Sequence, residues 1–264
     1  MKLSSRILLS MLIILVAGLL LSNIVLKKEY NKIDKSDLHW NYTNVLTQHF
    51  KYLKIEGGNN TKIAFEQNKN CSVRVLNDWQ RYHPELIQSF VKNDTLFIKF
   101  IYKSDNQNEK DWMKWTTLVR IFSPELLSVE GFNTNFEMFK LKQKSISVNM
   151  TGKSIFEVES MIPDMDSINV VQNDSASVEF EMSPDYASAA KGTQIHSGDE
   201  AVTPGPGLND IKNDEAMNIH WVNAKVQGYS ILDLGHAQID SLQLKIADNS
   251  AIILSGGALR KIQK

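Results

Sequence analysis

Carboxylates recur along this chain at spacings that could stack them. Glu157, Glu179 and Asp233 align, and Glu159 and Glu181 follow two residues behind the first two. On strands ~4.8 Å apart such side chains form a row. A carboxylate row can hold a cation, or supply the acid and the base that cleave a polysaccharide. It can also be a solvated face whose acids splay apart, because like charges directly opposite each other repel. The plainer reading is favoured, with these acids as the best catalytic or cation-binding candidates on the repeats.

Two other groups could do chemistry. Trp112 and Trp115, in Asp111-Trp112-Met113-Lys114-Trp115, could stack on sugars or anchor a partner. Three residues apart, they more simply cap one end of a fold. Asp199 and Glu200 lie in a stretch at about 183–217 that is rich in Ala, Ser, Gly, Pro and acids. Acid-rich loops can bind Ca²⁺, but the GGxGxD nonapeptide is absent, and a long surface loop has the same composition. Long loops on rigid scaffolds often carry function, so this insertion is where one particular to this protein would sit.

The remaining candidates are weaker. The six histidines (His39, His49, His83, His196, His220 and His236) show no metal-ligand spacing, and HExxH, GxSxG, P-loop and GxGxxG motifs are absent. His220 and His236 are expected at the surface or at corners. A single cysteine, Cys71, excludes an internal disulfide and multi-cysteine metal sites, and is expected to be an inert buried strand residue. The sequence therefore assigns no catalytic, cofactor-binding or metal-ligating residue and implies no cofactor. A net formal charge of −1 gives no basic footprint for nucleic acid.

What must position the acids is a repeat. With Ile146, Ile168, Val222 and Leu242 in register, apolar residues recur two, four, ten and twelve positions later, as in Leu244, Ile246, Ile252 and Leu254. Gly152, Asp174, Gly228 and Asp248 fall six positions in, and Ser154, Ala176, Ser230 and Ser250 eight positions in. Alternation with period two puts even offsets inside and odd offsets in water. Gly and Asp suit turns with positive φ. The small position suits a narrow interior, or a hydroxyl bonding to the backbone of a corner. Met165, Ile219 and Ile239 add an apolar corner before three copies, and Leu259 and Ile262 begin a further cycle. A degraded copy starts at Leu127, where Glu137 breaks the apolar rule. One period cannot bury its inner row alone, so periods must stack. The expected fold is all-β: a β-solenoid, single-stranded and β-helix-like, with short stacked strands.

The N-terminus adds a membrane element. Ile7 to Leu26 is nearly all apolar, with Lys2 and Arg6 before it and Lys27 and Lys28 after it. At 1.5 Å per residue it covers roughly 30 Å, a bilayer core. An uncleaved anchor is favoured over a signal peptide, because the run exceeds a usual h-region and no small-x-small site follows. Lysines after the helix argue for a cytosolic body under the positive-inside rule. Long C-terminal domains translocate regardless of local charge, however, and sheet-rich repeats behind one anchor suit the extracytoplasmic side. The expected organisation is an anchor at 1–28, a tether at 29–46 and a β-domain at 47–264.

Between tether and repeats, Leu53 and Ile55 precede the turn Gly57-Gly58-Asn59-Asn60, and Ile63 and Phe65 alternate after it as in a hairpin. Asn93-Asp94 is a second turn, and Leu118 to Phe122 a further strand. No segment here has a helical period. Three stretches carry a family resemblance: Phe50-x-x-Leu53-x-Ile55-x-Gly57, Asn93-Asp94-Thr95-Leu96-Phe97-Ile98, and Val119-Arg120-Ile121-Phe122-Ser123-Pro124-Glu125-Leu126. With Gly131-Phe132-Asn133 and the Ser-bearing repeats, they resemble the auto-transporter adhesin head GIN domain family, common in the Bacteroidetes. The resemblance covers about residues 45–264 and implies a β-solenoid head with the earlier strands stacked on it. The insertion and the weak first repeat depart from the pattern.

Three functions follow as expectations. The first is a membrane-anchored, extracytoplasmic module that binds, adheres or gives structure in the cell envelope. Its partners are the membrane through Ile7 to Leu26, and a glycan or another envelope protein. The second is a polysaccharide lyase or hydrolase on a β-helix scaffold, and the third an envelope signalling or assembly partner.

Overall fold

The computed structural model describes residues 3–83, 85–101, 116–162, 164–180, 218–235 and 237–254. Two compact units divide the chain, Met1–Tyr42 and Thr43–Lys264. The first is dominated by α1 (Leu3–Tyr30). Its stretch Ile7–Tyr30 is exposed along its length, and is long and apolar enough to cross a membrane, with a mean hydropathy of 2.6.

The second unit is almost all strand. It opens with β1 (Tyr42–Leu46), β2 (Tyr52–Glu56), β3 (Lys62–Gln67) and β4 (Ser72–Leu76). A short helix, α2 (Asn77–Tyr82), precedes β5 (Ile87–Lys92), β6 (Thr95–Phe100) and β7 (Thr117–Ser123). Next come β8 (Ser128–Phe132), β9 (Asn135–Met138), β10 (Ser145–Thr151), β11 (Ile155–Val158), β12 (Asp164–Gln172) and β13 (Ser177–Phe180). The last described strands are β14 (Asn218–Val226), β15 (Ile231–Asp233), β16 (Gln238–Ile246) and β17 (Ala251–Ile253).

These strands form two mixed sheets, neither of them closed. One has nine strands in the order β1-β4-β7-β3-β9-β11-β13-β15-β17, the other eight in the order β16-β14-β12-β10-β8-β2-β6-β5. From β8 on, successive strands alternate between the sheets, and each pairs in parallel with the strand two further along. Ile146, Ile168, Val222 and Leu242 are successive Cα partners, and Met165, Ile219 and Ile239 are another such series.

Alternation sets the core. Along β10 the even-offset residues Ile146, Val148 and Met150 are buried and their neighbours are not. Phe136 stacks on Phe156 at 5.9 Å between ring centroids, and Phe156 meets Phe180 in a tilted contact at 5.8 Å. All three are at most 1% exposed, and each such burial stabilises by roughly 1.5–3 kcal/mol. Turn chemistry fixes the step between sheets. Asn133, Gly152, Asp174 and Gly228 all adopt positive φ, between 51° and 70°; Asp248 does not. A Cβ on Gly228 would lie 2.5 Å from the backbone oxygen of Asp174, so only glycine fits. The turns also bond to one another, since Lys153 N–H donates to Asn133 Oδ1 at 2.9 Å.

The small position behaves as its chemistry suggests in two copies. Ser154 Oγ donates to the Thr151 carbonyl at 2.6 Å and Ser250 Oγ to that of Gly228 at 2.8 Å. Inside, Gln172 is fully buried and its Nε2 donates to the carbonyls of Ala176 and Ile231, at 3.1 and 2.8 Å.

Five expectations are corrected. Glu137 does not break the apolar rule: Phe136 pairs with Phe156 and Glu137 with Glu157. The turn before β9 is one residue shorter, so Glu137 takes an outward position. β2 and β3 do not form a hairpin. Gly57 and Gly58, at φ of 88° and 90°, carry the chain from one sheet to the other. The helix α2 was not visible as a period, because six residues make fewer than two turns. Cys71 is half-buried rather than buried, with its Sγ 3.5 Å from Ser123 Oγ. β1 also starts inside the stretch read as a tether and joins the nine-stranded sheet. β2 pairs with β8 and β3 with β9, so the early strands do stack on the later ones.

Candidate functional site

The acid row exists and is longer than expected. Glu137, Glu157, Glu179 and Asp233 are successive Cα partners on the outer side of the nine-stranded sheet. Extended the other way, the same line runs through Ala64 to Arg120 and Arg74. It therefore grades from two arginines to four acids and ends at Ile253.

Within the row the acids are compensated in different ways. Glu137 is 4% exposed, and Lys62 Nζ lies 3.4 and 3.3 Å from its two carboxylate oxygens. Glu159 shares a hydrogen bond with Glu137. Burial, that bond and the charges of Glu137 and Glu157 push the Glu159 carboxyl up to about 7, while Lys62 pulls it down. As the pH falls through about 7, Glu159 thus takes up a proton that it can donate to Glu137. Arg120 pairs with Glu66 and lies over the Phe139 ring at 5.6 Å. Among the described residues, no group of three or more His, Cys, Asp or Glu side chains is arranged to hold a metal ion.

Of the other expected residues, Trp112, Trp115, Asp199, Glu200 and Glu181 lie outside the described residues. So does the insertion at 183–217. His220 sits at an exposed corner of β14, its Nε2 2.9 Å from Asp164 Oδ1 and its Nδ1 2.7 Å from Asp240 Oδ2. The bond to Asp240, and then the charges of both acids, hold its imidazole above the usual range.

The outer side of the eight-stranded sheet was not singled out in the sequence. One line there runs Phe90, Phe97, Lys54, Glu130, Asn149, Val171, Lys225, Lys245, each the Cα partner of the next. Phe90 and Phe97 stack at 5.0 Å, and Lys54 Nζ meets Glu130 Oε1 at 2.6 Å. The adjacent line ends Ser147, Asn169, Asn223, Gln243. Asn223 Nδ2 donates to Asn169 Oδ1 at 3.3 Å. Over β12, β14 and β16 these side chains border a shallow cavity of ≈ 300 Å³. Trp221, Asn223 and Lys225 alternate with buried Val222 and Ala224, so all three point outward. Reading repeat offsets one and three down the copies lines up Asn169, Asn223, Gln243 and then Val171, Lys225, Lys245, a signal present in the sequence.

No protein-family model matches the chain, and no curated protein sequence matches it. Its structure is similar to that of a candidate adhesin from Bacteroides fragilis, at 13% identity and a TM-score of 0.41, over 81% of this chain and 96% of that one. It is also similar to a candidate lipid-binding protein from Parabacteroides distasonis, at 13% identity and a TM-score of 0.34, over 81% and 94%. A candidate adhesin from Parabacteroides merdae matches at 12% identity and a TM-score of 0.35, over 81% and 95%.

Proposed function

We propose that the chain is a membrane-anchored, extracytoplasmic binding module of the cell envelope, without catalytic activity. In this reading its body winds as a β-solenoid, each period giving one strand to each sheet. Membership of the GIN domain family belongs to the same reading, as does the division into anchor (1–28), tether (29–46) and body (47–264). The carrying observation is the outer side of the eight-stranded sheet. Tyr52, Phe90, Phe132 and Trp221 are each at least 40% exposed there. These aromatics are spread over several strands of one face, where each can anchor a partner through its ring.

The test is a polysaccharide panel incubated with the full chain in detergent micelles, read for both retention and product. Retention without product supports the module; product release lost in Glu157→Gln or Glu179→Gln overturns it. Protease accessibility in intact against lysed cells tests the side of the membrane, and cleavage only after lysis contradicts an exposed body.

A second reading, a polysaccharide-cleaving enzyme, has one observation in its favour. Glu137 and Glu159 are hydrogen-bonded carboxyls in unequal environments, and such pairs divide acid and base roles. Glu159→Gln would abolish turnover in an enzyme of this kind and leave retention by a binding module unchanged.

A further inference from the structure

We infer that the cavity over β12, β14 and β16 is the module's ligand site, and that its ligand is an acidic polysaccharide bearing carboxylate or sulfate groups. This rests on the binding-module reading and adds the site and the ligand class. Lys225 and Lys245 are direct cross-strand partners, both exposed. Like charges placed opposite each other are unfavourable without a counter-charge. Neither makes an ion pair among the described residues, whereas Lys54 and Lys99 on the same face both do. The missing counter-charge is an anion that lies between them, held by charge-assisted hydrogen bonds.

The surroundings specify what else that anion carries. Asn169, Asn223 and Gln243 give an amide ladder beside the lysines. An amide offers both donors and an acceptor, as the hydroxyls of a sugar require. Only Asn223 and Asn169 bond to each other, which leaves most of that capacity facing the cavity. Trp221 stands two residues before Asn223 on the same side and is 40% exposed. It presents an indole at the edge of the ladder, on which a sugar ring can lie. The amide ladder spans three strands spaced ~4.8 Å apart, roughly 10 Å, which suits a sugar-bearing ligand better than a compact ion. Two lysines on a chain of net charge −1 make a local contact, not a general polyanion surface.

The experiment uses the full chain in neutral detergent micelles with polygalacturonate, neutral dextran, and vesicles of anionic phospholipid as probes. Affinity is measured at low and high salt, and reducing ends are assayed in the same samples. The expected result is binding of polygalacturonate, weakened by salt, with no binding of dextran. Lys225→Gln/Lys245→Gln should weaken it about tenfold or more, in keeping with charge-assisted bonds, while Lys225→Arg/Lys245→Arg retains it. Trp221→Ala should weaken it less, and Lys54→Gln should leave it unchanged. Unaltered affinity in the Gln double variant with an unchanged far-UV spectrum, equal binding of dextran, or preference for the anionic vesicles overturns the assignment. In those cases the module reading stands. Release of reducing ends overturns the module reading itself.

Discussion

The outer faces of the two sheets each carry a charged line across their strands, and they balance it in opposite ways. On the nine-stranded side, Glu137 is buried against Lys62, Glu159 has its carboxyl pushed up to about 7, and Arg120 pairs with Glu66. On the eight-stranded side, the charges near β2 and β8 are paired, while Lys225 and Lys245 have no ion-pair partner among the described residues. Charge satisfied from within belongs to folding. Charge left open at the surface is available to a ligand. The acids are the more conspicuous feature in the sequence, yet the lysines are the better binding candidates.

The comparison can be broken first at what the two faces share. Phe156→Ala removes the middle of the phenylalanine stack and should cost ~3–5 kcal/mol, read by urea denaturation. Both faces should be lost in one transition. A second step with one face surviving would contradict a common core.

A smaller effect separates the faces. Lys62→Met strips the buried Glu137 of its cation and should destabilise by ~1–3 kcal/mol. It should also move the Glu159 midpoint above its present value of about 7, because Lys62 lowers it. Equal stability of the variant and the parent would show that the acid face needs no internal cation.

The pH dependence follows from the same pair. The Glu159 carboxyl titrates higher in the folded chain, about 7, than its ordinary 4.5. Its contribution is therefore complete below about 4.5 and is lost as the pH rises through about 7. Glu159→Gln should flatten this fall in Tm between pH 5 and pH 8. The residue is half-buried, so solvent screens part of the shift and the effect stays near ~1 kcal/mol. A parent whose stability rises over that range contradicts the shared proton.

The smallest effect is expected at the lysines. Lys225→Gln/Lys245→Gln should change stability by no more than ~0.5 kcal/mol, and upward if at all, since it relieves a like-charge pair. A loss of several kcal/mol would mean that these lysines serve the fold.

Much of this was legible in the sequence, for physical reasons. Period-two alternation forces Ile146, Ile168, Val222 and Leu242 onto one buried line, and they are Cα partners. Positive φ is restricted enough that Gly152, Asp174 and Gly228 announced their turns. The degraded copy was misread because a turn one residue shorter flips the face of every later residue, and apolar pattern alone does not count turn residues. The link between β2 and β3 was misread because a hairpin and a step between sheets both need glycine. The lysine site was overlooked for another reason. Outward positions look like ordinary solvated polarity, and although the repeat register aligns Lys225 with Lys245, it does not show that neither lysine meets an acid among the described residues.

Hydroxyl-radical footprinting of the full chain with and without polygalacturonate reads both faces in one sample. Trp221, 40% exposed, reports on the lysine face; Ile155 and Ile231, each 43% exposed, flank the acids on the other. The account predicts protection of Trp221 with Ile155 and Ile231 unchanged. Protection of the two isoleucines with Trp221 unchanged would contradict it and return the site to the acids.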